Sequence, residues 1–241
     1  MSSFRSVLSR EVSEKIFCLV LYSGKMLSYR VKHMNRFLVF TLLSIILWPL
    51  SLSLGQEVIF EDKFEGSLKP GWHWLRENPI TRRFGNNSLE IQAEPFSENE
   101  AHNVLIRSAV FRKQGKYQIE TELSYSDTPT SQYQQGGIYW IQDDRVIFKL
   151  VHELVDGKMY IFPGKVPIES TSVKLRITVN NDNVTAEFCN AGENNYRCIY
   201  EGKIEPPKDT DRIGLQCWHG PKTGDRPWLR FHYFRVIKVN D

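Results

Sequence analysis

Tyr139, Lys149 and Glu153 are the residues of this chain whose types and spacing suggest chemistry. Tyr139 lies in YQQGGIYWIQDD, residues 133 to 144, where a Gly-Gly pair precedes Ile138, Tyr139, Trp140 and Ile141. Lys149 and Glu153 follow in RVIFKLVHELV. A sugar ring offers an apolar C–H face and an edge of hydroxyls, so its recognition needs a flat aromatic beside fixed donors and acceptors. Tyrosine, lysine and glutamate supply one of each. Trp72 and Trp74 in WHW, and Trp218, His219 and Trp228 in WHGPKTGDRPW, offer the same chemistry from strand ends and polar loops. Any well-packed core also takes tryptophans, and a solvated lysine–glutamate pair contributes little, so the direction each side chain faces decides its role.

Catalysis has weaker support. Glycoside hydrolysis needs two carboxyl groups at a set separation, one acting as acid and the other as base or nucleophile. The nearest local pairs are Glu90 with Glu94 and Glu120 with Glu122. No serine or cysteine nucleophile motif is present. Asp143 and Asp144 sit where a turn favours acids for backbone reasons, and His152 and His219 are lone histidines. The balance favours binding without turnover. No cofactor is expected: the cysteine spacings match no zinc site, and nothing argues for a structural calcium ion.

The elements that must position these residues follow from two-residue alternation. In KYQIETELSY, Tyr117, Ile119, Leu123 and Tyr125 share one face; in SVKLRITVN, Val173, Leu175, Ile177 and Val179 do. Each is a half-buried strand. A turn at NND leads into NVTAEFC, a hairpin partner with Val184, Ala186 and Phe188 inward. Further runs occur at EVIFE, SLEIQA, NVLIRSAV, RVIFKLVHELV, DRIGLQCW and WLRFHYFRVIKV, and no long segment has helical periodicity. Many strands without helical crossovers imply an all-β chain: a two-sheet antiparallel sandwich, or jelly roll.

With 241 residues, 41% hydrophobic and 24% charged, the chain has the composition of a globular protein with a substantial core. Part of its net charge of +3 comes from Arg5, Arg10, Lys25, Arg30, Lys32 and Arg36, and no basic stripe suits nucleic acid. Arg30, Lys32 and Arg36 precede the apolar FLVFTLLSIILWPLSLSLG, with Ser53 and Gly55 three and one positions before a cut ahead of Gln56. Residues 1–55 therefore read as an N-terminal extension with a secretory signal peptide, leaving 56–241 as one domain, secreted or periplasmic. The alternative is an uncleaved anchor at residues 37–54, which would tie the protein to a membrane. In an oxidising compartment, Cys189 and Cys198, separated by the polar AGENN loop, are expected to form a cross-hairpin disulfide.

FEDKFEGSLKPGWHWLREN, GGIYWIQDDRVIFKLVHELVDGK, SVKLRITVNNDNVTAEF, DRIGLQCW and FHYFRV occur in an order that resembles the concanavalin A-like domains at the C-terminus of family 43 β-xylosidases. The same order is similar to a related bacterial family of unknown function. The resemblance covers nearly all of residues 57–238, and the Gly-Gly-Ile, Lys149 and Glu153 positions match a recurrent pattern in it. It implies a carbohydrate-binding sandwich whose partner is a polysaccharide or oligosaccharide. A hydrolase or lyase of the concanavalin A-like class, and a structural or protein-interaction domain, are the alternatives. The glutamate–aspartate–glutamate triplet of concanavalin A-like glucanases is absent. Where relatives carry two acids in the last strand, this chain has His232 and Tyr233, which argues against metal binding there.

The roles of Tyr139 and Trp140 depend on register. If QDDR closes a two-residue turn, Tyr139 faces Phe148 and Trp140 faces Ile147. If Asp143, Asp144 and Arg145 form a three-residue loop, Trp140 faces Phe148 and Tyr139 faces Lys149. The longer loop is preferred, because it groups Ile138, Trp140, Phe148 and Leu150 on one apolar face. Trp140 is then core, and Tyr139 becomes an exposed platform beside Lys149 and Glu153.

Overall fold

The computed structural model describes residues 56–220 and 226–240; the expected leader, residues 1–55, lies outside them. Strands β1 (Glu57–Asp62), β3 (Arg82–Gly85), β4 (Ser88–Gln92), β6 (Lys116–Tyr125), β11 (Ser172–Asn180), β12 (Asn183–Asn190), β13 (Arg197–Lys203) and β15 (Trp228–Val239) make one antiparallel sheet. Its order is β13-β12-β11-β6-β15-β4-β3, with β1 also paired to β15. Strands β2 (His73–Leu75), β5 (Val104–Ser108), β7 (Gln135–Gln142), β8 (Arg145–Val155), β9 (Lys158–Phe162), β10 (Val166–Pro167) and β14 (Arg212–Trp218) make the other, in the order β10-β9-β8-β7-β14-β5-β2. The architecture is the expected all-β sandwich. Among the described residues no helix is long and apolar enough to cross a membrane.

Alternation places the core as expected. Ile119, Leu123, Val173, Leu175, Ile177, Val179, Val184, Ala186, Phe231 and Phe234 enter it from the eight-stranded sheet. Ile138, Trp140, Leu150, Ile213 and Leu215 meet them from the seven-stranded sheet. Trp140 is fully buried, with Phe111 edge-on at 6.5 Å.

The β7–β8 hairpin has the preferred register, reached by a different route. Asp143 and Asp144 have φ of 51° and 61°, the left-handed values of a tight two-residue turn. Gln142 therefore faces Arg145 and Ile141 faces Val146, but a bulge then shifts the register, so that Trp140 faces Phe148 and Tyr139 faces Lys149. Ile147 is the extra residue, and it packs on the core alongside Phe148. The Gly-Gly pair serves close strand approach: a Cβ on Gly137 would lie 2.1 Å from the Leu150 carbonyl oxygen. Only hydrogen fits there.

A buried polar knot closes the turn end of this hairpin. Arg112, fully buried, places Nη1 3.1 Å from Asp211 Oδ2 and donates from Nε to the Asn181 carbonyl at 2.5 Å. Asp211 also accepts from Gln142 Nε2 at 2.8 Å, which ties the end of β7 to the β11–β12 turn. Removing one partner of such a pair strands a buried charge, the costliest way to break it.

The expected Cys189–Cys198 disulfide is not formed. Phe188 faces Arg197 and Glu187 faces Cys198, so Cys198 stands two residues along from the position opposite Cys189. That diagonal separation of about 7–8 Å exceeds what a disulfide spans. The buried Cys189 thiol instead donates to the Glu193 carbonyl at 3.5 Å, and the exposed Cys198 thiol contacts Glu201 Oε1 at 3.7 Å.

His152 also faces the core, opposite Gly136 and edge-on to Tyr125 at 5.3 Å, with no hydrogen-bond partner at either ring nitrogen. Burial pushes its pKa down to about 3. The folded protein thus refuses a proton that the unfolded chain accepts near pH 6.5. Stability is full above about pH 6.5 and falls as pH drops toward about 3, by at most about 1.4 kcal/mol per pH unit from this one group. Urea denaturation between pH 6.5 and 5 is expected to show this slope, and His152→Leu is expected to flatten it. An unchanged slope in the variant would refute the assignment.

Candidate functional site

Strand alternation turns Gln135 and Tyr139 of β7, Lys149 and Glu153 of β8, and Gln216 and Trp218 of β14 toward the outer face of the seven-stranded sheet. Two of the expected residues, Tyr139 and Lys149, share one acceptor. Gln135 Oε1 receives the Tyr139 hydroxyl at 3.0 Å and Lys149 Nζ at 3.2 Å. Lys149 Nζ also pairs with Glu98 Oε1 at 2.7 Å and lies 5.7 Å from the centre of the Trp218 ring. Gln216 Nε2 donates to the Glu98 carbonyl at 2.6 Å.

Glu98 belongs to the β4–β5 connection, which lies across this face. Its backbone is stapled next to Trp218: His219 N donates to the Glu94 carbonyl at 3.0 Å, and Phe96 N to the His219 carbonyl at 3.1 Å. Arg76 Nε holds its far end through the Ala101 carbonyl at 2.7 Å. Ala101, Val104, Ile106 and Ile141 form a second small apolar cluster beneath it, with Phe96 and Trp218 packed alongside. Tyr139 is consequently fully buried, not the exposed platform expected. Burial raises the pKa of its hydroxyl. The Glu153 carboxyl is raised chiefly by burial and further by Glu98, with Lys149 pulling it down.

The other expected residues lie elsewhere. Trp72 is in the core, its Nε1 donating to Asp62 Oδ2 at 2.9 Å and its ring 4.9 Å from Phe234. Trp74 is half-buried against the same core, with the Arg82 guanidinium 4.9 Å from its ring. His219 is fully buried, and its main chain holds the β4–β5 connection in place. Trp228 carries the Arg83 guanidinium at 4.1 Å.

Beside the cluster, and sharing Glu98 and Gln216 with it, opens a cleft of about 380 Å³. Its polar lining is completed by Arg76, Asn99 and Asp144, over an apolar floor of Leu75, Ile141 and Val146. Burial lowers the Arg76 pKa against the opposing pull of Asp144 and Glu100. The arrangement can present donors, acceptors and an apolar surface to a polyhydroxylated ring. Arg76, Glu98, Asn99 and Gln216 were not among the residues expected from the sequence.

Three of the four acids weighed for catalysis, Glu90, Glu94 and Glu120, are engaged by other side chains. Glu90 is held by Arg83 Nε at 2.5 Å and Arg230 Nε at 2.7 Å. Burial drives its pKa up, but the two arginines outweigh this and leave it lowered. Glu120 is bound at 2.6 Å by Arg176 and 2.7 Å by Arg235. Glu94 accepts from Thr81 Oγ1 and contacts His102 Nδ1, each at 3.1 Å. Among the described residues, no group of three or more His, Cys, Asp or Glu side chains is placed to hold a metal ion.

No protein-family model matches this sequence, and no curated protein matches it. Solved structures do share the fold. A variant of a GH43 protein from Bacillus licheniformis superposes with a TM-score of 0.60 at 16% identity, covering 74% of this chain and 39% of that one. A xylan β-1,4-xylosidase from Bacillus halodurans gives 0.55 at 15% identity, over 73% and 38%. The CBM2 module of the evolved Dit of Lactobacillus casei BL23 phage J-1 gives 0.52 at 8% identity, over 77% and 97%. At these identities the likeness establishes the fold. This chain matches less than two-fifths of either Bacillus protein, consistent with the resemblance to a β-sandwich module accompanying GH43 enzymes.

The Lys149 contacts generate a direct test. Replacing the ammonium by an apolar side chain in Lys149→Met removes the one interaction that lowers the Glu153 pKa. Carboxyl-detected NMR titration is expected to find that pKa shifted upward relative to the parent protein. An unchanged or lower value would mean that the two side chains do not share this face.

Proposed function

We propose that this domain is an exported, non-catalytic carbohydrate-binding module that holds an uncharged polysaccharide on the outer face of its seven-stranded sheet. The observation that carries the proposal is the joining of the Tyr139–Gln135–Lys149–Glu98 network to the cleft lined by Arg76, Asn99, Asp144 and Gln216. Positive and negative groups are interleaved there, which suits hydroxyls in place of a charged ligand. Tyr139 acts from below: its buried ring and hydroxyl fix Gln135, which helps orient Lys149. Trp218, half-buried at the margin, is the aromatic available for a sugar face. Xylan-type chains are the first ligands to try, because one of the fold's neighbours is a xylan β-1,4-xylosidase.

One observation favours a second reading, a slow hydrolase: the Glu153 carboxyl, raised by burial and by Glu98, has the character of a general acid with an acidic neighbour. Glu153 is only 7% exposed, however, so substrate would reach it only after the β4–β5 connection moved.

Calorimetric titration with xylohexaose, together with a reducing-sugar assay, separates the two. Under the proposal the protein binds the oligosaccharide and releases no product, and Arg76→Ala and Gln216→Ala each weaken binding at least tenfold. Binding that both variants retain in full would move the site off this face. Product release abolished by Glu153→Gln would establish the hydrolase instead.

A further inference from the structure

The opposite face of the sandwich carries a groove that the preceding site does not use. In the β15–β6 pairing, Phe231 faces Leu123, Tyr233 faces Glu122, and the register shifts between Phe231 and Tyr233. Phe231 and Phe234 are both fully buried, so the two residues between them, His232 and Tyr233, are turned outward together. A bulge re-aims side chains in this way. These are the positions at which the sequence departs from the acids of the family it resembles.

A groove of about 350 Å³ opens over this bulge, near the lower end of the size range of small-ligand clefts. His232, Tyr233 and Arg235 form one wall, Asn87 of the β3–β4 turn another, and Glu61, Lys63 and Glu65 the third. Three of these residues are held in place. His232 Nε2 contacts Ser124 Oγ at 2.9 Å. Arg235 is fixed by the buried Glu120 at 2.7 Å, and its guanidinium lies 4.6 Å from the Tyr233 ring. Asn87 has a φ of 51°, set by the tight turn it shares with Asn86.

We infer that this bulge groove is a second saccharide-binding site, selective for an uncharged sugar. Lys63 and Arg235 are balanced by Glu61 and Glu65, so the lining supplies donors and acceptors without a net field for an anion. Burial, the largest influence, lowers the His232 pKa and favours the neutral imidazole, with Arg230 acting in the same direction and Glu122 against it. The neutral ring can donate or accept toward a hydroxyl. The inference shares its ligand class with the proposed function but rests on different residues. Two sites on opposite faces would let one module bridge two polysaccharide chains, with a gain from linkage and no new contact.

The test is a proton–nitrogen NMR titration of the whole protein with xylohexaose. The expected result is two separate groups of shifted amides, one around residues 135–153 and one around Asn87 and His232–Arg235. Asn87→Gly keeps a residue suited to the left-handed backbone while removing the amide side chain. Combined with His232→Ala, it is expected to weaken the second group's apparent affinity at least tenfold and leave the first unchanged. Shifts confined to the seven-stranded sheet would overturn this inference and spare the proposed function. Shifts confined to the bulge groove would do the reverse. No shifts on either face would overturn both, and stronger binding of a galacturonate hexamer at the groove would replace the neutral-sugar site with an anion site.

Discussion

The extra residue Ile147 in β8 is the constraint on which both faces of the seven-stranded sheet depend. Side chains alternate along a strand, so a shift of one position would exchange core and surface along the paired segment. With the bulge in place, Ile138, Trp140 and Leu150 fill the interior, while Gln135, Tyr139, Lys149 and Glu153 share the outer face. Without it, the tight Asp143–Asp144 turn would set Trp140 opposite Ile147 and Tyr139 opposite Phe148. Core packing enforces the observed choice, because truncating a buried aromatic costs about 3–5 kcal/mol, far more than one irregular ladder position.

The same local device serves the opposite sheet. At His232 a bulge lets two consecutive side chains leave the core between Phe231 and Phe234, both of which remain buried. A bulge near the start of β8 and another within β15 therefore set which side chains leave the core at the two candidate sites. Elsewhere the outer surface of the eight-stranded sheet is organised by buried carboxylates gripping paired arginines: Glu90 with Arg83 and Arg230, and Glu120 with Arg176 and Arg235. Such groups fix side-chain geometry more than they add stability.

Much of this was legible in the sequence. Period-two alternation located β6, β11 and β12 and their buried residues, and the grouping of apolar side chains selected the correct partners for Tyr139 and Trp140. The hairpin length was misread, because two aspartates can adopt the left-handed turn unaided and pass the extra residue to the next strand. The burial of Tyr139 was illegible for a different reason. It depends on Glu98 meeting Lys149 across 51 positions of chain, a tertiary contact that no local pattern announces. Trp72 and Trp74 looked available because they flank a polar loop, yet Asp62 and the Phe60–Phe234 cluster draw Trp72 inward. The thiols failed to pair because the six-residue connection from Ala191 to Tyr196 resumes pairing at Arg197, two positions out of step for Cys189 and Cys198.

Cross-strand nuclear Overhauser effects between backbone protons of β7 and β8 test the central claim most directly, since they report register without reference to any ligand. The account predicts contacts of Tyr139 with Lys149 and of Trp140 with Phe148, giving way to Ile141 with Val146 beyond the bulge. Contacts of Trp140 with Ile147 and of Tyr139 with Phe148 would contradict it, and would place the candidate binding residues on the wrong side of the sheet.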